Sequence, residues 1–397
     1  AVWVLGGFLA LCGALCYAEL TAMFPQTGGA YVFLREGYGR LPAFTFGWSS
    51  LFITYPASIA AVSVVFVAYL ARVVPIDEPL RPVLAAVLCL GIAGLNILGV
   101  RAGAWTLKAF TFAKVLALGA IVLTALLARR GASAHLEPIW SAPPEGWTAA
   151  AVALSLVSVL WTYEGWADGP TIAGEVRDRR RDVVRALFVS TLGVTLVYLV
   201  TNLAYVYVLG IDGMRESDSV AVDMATAVFG PAGSLFVTLL VLASTLGSIL
   251  GMIIAGSRVI YAMGRDRLFF GIAGTVHPRF LTPAIALAGL GIVAATYALL
   301  GTFESIIRTF VFVAQLWFVF IIASVVWHRI RRPEAPRPFR VPLYPLPVAL
   351  YLLVAGGLLY QLARDDPRGS ATGVGILVLS VPAYAAWVRF ERPRPDR

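Results

Sequence analysis

Charge is scarce in this chain: Asp, Glu, Lys and Arg make up 13% of its 397 residues, against about a quarter in soluble domains. That scarcity excludes an ordinary soluble domain. Cysteine is rarer still. Cys12, Cys16 and Cys89 all fall in apolar runs, which excludes a disulfide framework or a zinc pattern and leaves them as packing residues. The three histidines, His135, His277 and His328, map to loops or helix ends, so neither a metal cluster nor a proton relay is indicated. No His-Glu-x-x-His helix, nucleophile triad or pair of catalytic aspartates occurs, which argues against a membrane enzyme, and no cofactor is implied. Long linkers and low-complexity tracts are missing too.

What is abundant is apolar sequence, at 59% hydrophobic residues with a mean hydropathy of +0.82. A membrane-crossing helix needs about 20 apolar residues. Segments of that kind recur near 2–24, 43–71, 83–100, 104–128, 148–174, 183–210, 232–264, 284–301, 303–328, 345–363 and 372–390, predicting eleven transmembrane helices. Barrel strands would give alternating runs of about ten residues instead. The fold class is therefore all-α and polytopic, one transmembrane domain over 1–397.

The net charge of +9 reads as a topology signal rather than a nucleic-acid surface. With residue 1 outside, the inner loops and tail hold Arg35, Arg40, Arg101, Lys108, the arginines between 177 and 185, Arg265, Arg267, Arg279, the arginines between 329 and 340, Arg389 and the arginines of the tail. Outer loops hold only Arg72, Arg81, Arg129, Arg130, Arg215, Arg364 and Arg368, a threefold deficit. The expectation is an integral protein of the cell (inner or plasma) membrane with a cytoplasmic C-terminus and the acidic 210–231 loop outside. Residues 25–42 suit a short amphipathic piece at the inner surface or in a closing gate. Pro336 to Pro345 reads as a stiff inner linker without chemistry. The chain starts at Ala1 inside an apolar run with no charged leader, so sequence is expected to precede it.

Inside the 148–174 segment, Leu160-Trp161-Thr162-Tyr163-Glu164-Gly165-Trp166-Ala167-Asp168-Gly169-Pro170 places two carboxylates, two glycines and a proline at membrane depth. Irregular backbone survives there only beside protein or a water-filled cavity, as in the discontinuous helices of transporters. The expected break at Tyr163–Gly165 would bare carbonyls suited to an ammonium group, with a new helix resuming after Gly169-Pro170 and Pro170 in its first turn. A packing kink is the alternative.

Leu15-Cys16-Tyr17-Ala18-Glu19-Leu20 with Pro25-Gln26-Thr27-Gly28-Gly29-Ala30-Tyr31, then Tyr163-Glu164-Gly165-Trp166 leading to Gly174-Glu175-Val176-Arg177-Asp178, then Pro338-Phe339-Arg340-Val341-Pro342, resemble in order and spacing the amino acid–polyamine–organocation (APC) transporter superfamily, and within it the L-type amino acid transporter branch. The resemblance covers nearly the whole chain. It implies a LeuT-like fold of two inverted five-helix repeats plus two extra helices, here 1–128 as the remainder of the first repeat, 148–328 as the second, and 345–390 as the additional pair. The first segment resembles the family's second helix. The family's first helix, whose glycine-rich motif supplies amides for the substrate carboxylate, is thus expected to be missing from this polypeptide.

Trp161 matches the aromatic position that in the family closes over substrate, and Trp166, beyond the break, is a lining candidate; either is also open to a packing role. Tyr163, Glu164 and Gly165 form the break itself. Glu164 stands where many L-type members have glycine, and is open to contacting a cationic side chain, taking up a proton or bonding the backbone. Asp168 is expected to cap the second half-helix. Lys114 lies roughly 13 Å from the inner helix end at 1.5 Å per residue, too deep to snorkel, so its ammonium should meet carbonyls or hydroxyls inside the bundle, as a fixed substitute for a bound cation or as a titrating group, a purely structural buried lysine being the alternative. In related sodium-independent members a lysine at the matching position replaces a sodium ion. Ser244, Thr245, Gly247, Ser248 and Gly251 form the expected partner stripe, close packing being its simplest role, with Ser248 a candidate for the lysine or cation site. Thr54 and Ser58 are weaker lining candidates, and Glu19 is expected to pair with an inner loop as a structural or gating residue.

Together these readings give a secondary transporter of amino acids working by alternating access, sodium-independent, through exchange or proton-coupled uptake. The substrate is expected to be a neutral amino acid, with cationic amino acids or amines kept open by Glu164. The partners are that substrate, protons and the lipid bilayer. The rival class is a transporter-like sensor or non-transporting structural partner, suggested by the absent first helix.

Overall fold

The computed structural model describes residues 2–99, 102–137, 148–300 and 303–390, without the side chains of 102–110, 149–150, 179–180, 303–309 and 390. Arg101, Lys108, Arg179, Arg180, Arg392, Arg394 and Arg397, which entered the charge count, lie outside that description. Among the described residues the chain is helical throughout and has no strand. In order come α1 (Val2–Met23), α2 (Ala30–Tyr38), α3 (Arg40–Ser49), α4 (Tyr55–Leu70), α5 (Arg81–Ile97), α6 (Ala102–Leu127), α7 (Ala149–Tyr163), α8 (Arg179–Arg215), α9 (Val220–Phe229), α10 (Pro231–Arg265), α11 (Ala284–Leu300), α12 (Phe303–Arg331), α13 (Leu346–Asp365) and α14 (Pro367–Phe390).

Eight helices among the described residues are long and apolar enough to cross a membrane: those within Val2–Met23, Arg40–Leu70, Glu78–Ile97, Arg181–Arg215, Pro231–Arg265, Phe310–Arg331, Leu346–Asp365 and Pro367–Arg389. The other three expected spans are α6, α7 with its continuation, and α11. Residues 40–70 form one rod because a π-helical turn, Ser50–Thr54, joins α3 to α4. The extra residue in that turn rotates everything after it, which sets where Thr54, Tyr55 and Ser58 point. Two features depart from the reading of the sequence. The 210–231 stretch is not simply a loop: its Val222, Met224, Ala225 and Val228 bury themselves, and α9 packs that face with α6, α8 and α10 as a second small core. The second is at Gly210, where the long helix breaks at the span's expected end with a φ of 69° that is easy only for glycine, and a separate short helical piece, in place of loop, runs on to Arg215.

Small residues let the helices close on one another. A Cβ at Gly6 of α1 would come within 2.5 Å of Val159 on α7, and one at Gly13 within 2.7 Å of the Trp166 ring. On α10, a Cβ at Gly256 would meet the Tyr55 ring at 2.7 Å. Without these bare backbones the rings of Trp166 and Tyr55 could not approach the neighbouring helices this closely.

The expected inner segments gather on one face. Tyr31 Oη donates to Asp266 at 2.8 Å, Arg35 pairs with the same carboxylate, Arg332 reaches Glu36 at 3.4 Å, and Arg258 Nε reaches Glu175 at 2.9 Å. On the opposite face the expected outer segments meet, with Tyr69 and Ser219 hydroxyls 2.8 Å apart and Ala132 N donating to the Tyr207 carbonyl at 3.1 Å.

Candidate functional site

Beyond Tyr163 the chain does not unwind. It tightens into a 3-10 helix over Glu164–Glu175, and no fresh helix begins after Gly169-Pro170; the next one, α8, starts at Arg179. The expectation of a gap flanked by half-helices is corrected accordingly. Two glycines, a proline and two short or acidic residues weaken α-helical propensity, and a twelve-residue 3-10 run is far longer than the usual three or four. Most carbonyls here therefore keep a partner. Pro170 interrupts the pattern, having no N–H to give the Ala167 carbonyl. Thr171 Oγ1 donates to the Asp168 carbonyl at 2.6 Å, and Gly28 N donates to the Thr171 carbonyl at 3.0 Å, so the α1–α2 turn clamps the run.

Three residues per turn sorts the side chains into three rows. The row of Glu164 and Ala167 and the row of Gly165, Asp168 and Thr171 line a cavity of about 640 Å³, while Trp166, Gly169 and Ile172 turn away. Trp161, Thr54, Ser58 and Ser248 line the same cavity, as does an aromatic set the sequence reading passed over: Tyr17, Phe46, Phe310, Trp317 and Phe318. The signal for the last three was present, since Phe310, Ala314, Trp317, Phe318 and Ile321 follow helical spacing on one face of α12. Trp317 is held by donating Nε1–H to Ser49 Oγ at 2.8 Å.

Two of the proposed lining residues do not reach this space. Trp166 is buried against Gly13, edge-on to Tyr17 at 4.9 Å and near Phe318 at 5.4 Å. Tyr163 packs with Trp3 and Tyr198 and donates its hydroxyl to the Trp3 carbonyl at 3.2 Å. Asp168 is no helix cap either. Its Oδ1 accepts from the Tyr55 hydroxyl at 2.8 Å, an orientation secured by the bare Gly256 backbone behind that ring. Glu164 makes no hydrogen bond or ion pair among the described residues.

Behind the cavity, Lys114 Nζ on α6 donates to the Ser244 carbonyl of α10 at 2.9 Å, and Ser248 Oγ donates to that same oxygen at 3.1 Å. The ammonium thus sits one helical turn from a cavity-lining hydroxyl without entering the cavity. At the face where the expected inner segments gather, Glu19 is 1% exposed and accepts from Arg329 Nε at 3.0 Å, Arg329 Nη2 at 2.6 Å and Val341 N at 2.7 Å, with Arg337 Nε 3.7 Å away. The proline-rich stretch is therefore more than a stiff linker: it closes over a buried carboxylate.

Long apolar helices around an aromatic-walled cavity, interrupted by non-α backbone beside two carboxylates, define a polytopic membrane protein with a cavity between its helices. The family model described as amino acid permease matches residues 1–380. The chain is 32% identical over 359 residues to the human (Homo sapiens) b(0,+)-type amino acid transporter 1, covering 89% of this chain and 72% of that protein. It is 31% identical over 406 residues to the human Asc-type amino acid transporter 1, covering 99% and 76%, and 28% identical over 395 residues to the human large neutral amino acids transporter small subunit 2, covering 96% and 72%. The chain belongs to the amino acid permease family, whose members are transporters and not enzymes.

Proposed function

We propose that this protein exchanges amino acids across the cell membrane by alternating access, without sodium, with the substrate held between the 3-10 run and α4, α10 and α12. The observation that carries this reading is the pairing of a cavity on the 164–171 backbone with the Lys114 ammonium fixed on the Ser244 carbonyl. A covalently attached cation fills its site in every state. It cannot be loaded from one side and released on the other, so no sodium gradient is drawn on, and a second amino acid supplies the return step. The repeats run over 1–128 and 148–328 with 345–390 added, and the face holding Glu19, α2 and the proline-rich stretch is cytoplasmic, as its arginines require. Glu19 then ties the inner end of α1 to α12, and Trp161 closes over bound substrate.

The test is radiolabelled amino acid uptake by the purified protein in proteoliposomes. Unlabelled amino acid inside should accelerate uptake, and replacing sodium by choline should leave it unchanged. Lys114→Ala removes the fixed ammonium and leaves the Ser244 carbonyl without its cation, though still bonded by Ser248 Oγ, so exchange should fall at least about tenfold, equivalent to about 1.4 kcal/mol. Uptake that ignores internal substrate, or survives Lys114→Ala intact, contradicts this mechanism.

A further inference from the structure

The residues numbered 266–283, which join α10 to α11, leave large apolar side chains outside. Phe270, Ile272, Val276 and Leu281 are all exposed, Leu281 to 73%, although the segment lies beyond the membrane-crossing helices, where water ordinarily selects polar side chains. Two positions hold the left-handed backbone that a side chain disfavours, Arg267 at φ 53° and Leu281 at φ 55°. Neighbouring elements fix the loop in that shape. Its short 3-10 turn, Gly271–Gly274, folds back on the end of α10 so closely that a Cβ on Gly274 would meet Arg265 N at 2.5 Å. Thr282 Oγ1 donates to the Ile97 carbonyl of α5 at 2.8 Å, and Trp387 Nε1 of α14 donates to the Arg267 carbonyl at 3.1 Å. The Trp387 ring meets Phe270 edge-on, centroids 4.8 Å apart. Apolar side chains and an indole are thus presented together at the level where α5 and α14 end.

The charge beside this patch is of one sign. Arg265, Arg267, Arg279 and Arg389 are exposed and have no carboxylate partner among the described residues. Asp266, the one acid of the loop, is already taken by Arg35 and Tyr31. Elsewhere on the same face Arg258, Arg329 and Arg332 each pair with a carboxylate. Exposed apolar side chains set among unneutralised guanidinium groups match a molecule with an anionic head and apolar tails. We propose that this loop and the end of α14 form a docking site for an anionic phospholipid, its phosphate met by Arg267 and Arg389 and its acyl chains lying over Phe270, Ile272 and Leu281. A lipid fits better than a protein because the patch continues into the outward side of α5, where Leu95 and Leu98 are exposed. Trp387 also stands near the end of a membrane-crossing helix, where indoles take up the headgroup level. A zwitterionic lipid adds an ammonium that the arginines repel, whereas an anionic one offers phosphate alone, suited to a guanidinium fork. The inference is independent of what the cavity carries.

The experiment is native mass spectrometry of the delipidated protein in detergent, titrated with dioleoyl phosphatidylglycerol or with dioleoyl phosphatidylcholine. It compares the wild type with the double variant Arg267→Gln/Arg389→Gln, with Leu281→Gly and with Arg364→Gln, each checked for a single monodisperse peak. The wild type should retain the anionic lipid at a concentration about tenfold below the zwitterionic one, and the double variant should shrink that ratio about fivefold. Leu281→Gly suits the left-handed backbone and so spares the fold; losing its contact with the acyl chains should weaken retention of both lipids about threefold. Arg364→Gln, at the far end of α13 on the opposite face, should change neither. Should the double variant fail to fold, Leu281→Gly decides alone. Soluble glycerol phosphate in excess should not displace the lipid; displacement would mark a site for free phosphate and overturn the docking of a lipid. Equal retention of the two lipids by the wild type, or an unchanged ratio in the double variant, overturns the inference and leaves the patch to a protein partner. Leu281→Gly indistinguishable from wild type, or a loss in Arg364→Gln as large as in the double variant, overturns it as well.

Discussion

Replacing Glu19 by alanine is expected to destabilise the folded protein by about 3–5 kcal/mol, the cost of stranding one partner of a buried ion pair. The size follows from what the carboxylate holds. It is almost fully buried, and it receives both the Arg329 fork and the Val341 amide, with Arg337, itself 5% exposed at the side chain, alongside. Removing it leaves two guanidinium groups facing one another without an anion and an amide without an acceptor. Arg329 has one further hold, its guanidinium lying 3.8 Å from the Tyr344 ring centroid, but a cation–π contact of about 0.5–2 kcal/mol does not replace a bidentate carboxylate. Glu19→Gln should cost less than Glu19→Ala, because the amide oxygen can still accept from Val341. Thermal unfolding in detergent measures this, and a double-mutant cycle with Arg329→Ala should show the two losses to be far from additive. A Glu19→Ala protein melting within a degree or two of wild type would mean that the strap is held by packing alone.

Whether a feature was legible in the sequence depended on whether its cause was local. The apolar spans were legible because every residue of a membrane-crossing helix obeys the same solvent, and the disturbance at 164–170 was legible because glycine, proline and carboxylates act on the backbone they belong to. For Lys114 the sequence offered a stripe of small residues on α10 with Ser248 as the candidate partner, because an ammonium at that depth has few kinds of partner; the contact found is with the Ser244 carbonyl one turn earlier. The errors arose where one geometry was substituted for another. Reading the disturbance as an unwound gap supplied no rule for which side chain faces where, so Trp166 and Tyr163 were set beside substrate with Glu164. The 3-10 period of three residues turns Trp166 away, onto Gly13. Tyr55 and Trp317 were missed because their importance is tertiary: one reaches a carboxylate 113 residues away and the other a hydroxyl 268 residues away. The Glu19 cluster was half visible, the need for a partner being evident from burial while Val341 and Arg337 were not.

Gly165→Leu is the substitution expected to weaken substrate binding, and transport with it, without weakening the fold, and a contrast between two glycines explains why. At Gly13 an added Cβ would lie 2.7 Å from Trp166, so any side chain there must displace a packed ring, at about 1–3 kcal/mol for overpacking. At Gly165 an added Cβ meets no atom within 4 Å, because that position opens on the cavity. A side chain there therefore starts into open space and projects into the volume a substrate would occupy, beside Glu164 and Asp168. The overpacking penalty then falls on the bound complex alone: about 1–3 kcal/mol weakens binding by roughly five- to 150-fold. Thermal stability should hold or rise slightly, since glycine inside a helical run is the least favourable residue short of proline. Gly165→Ala, with one methyl in the same direction, should fall between wild type and Gly165→Leu in substrate affinity. Binding and uptake measured on the same preparation separate the two effects: lost affinity with an unchanged melting temperature locates the solute against residue 165. Full uptake in Gly165→Leu would mean that the solute passes elsewhere, and would remove the 3-10 run from the site.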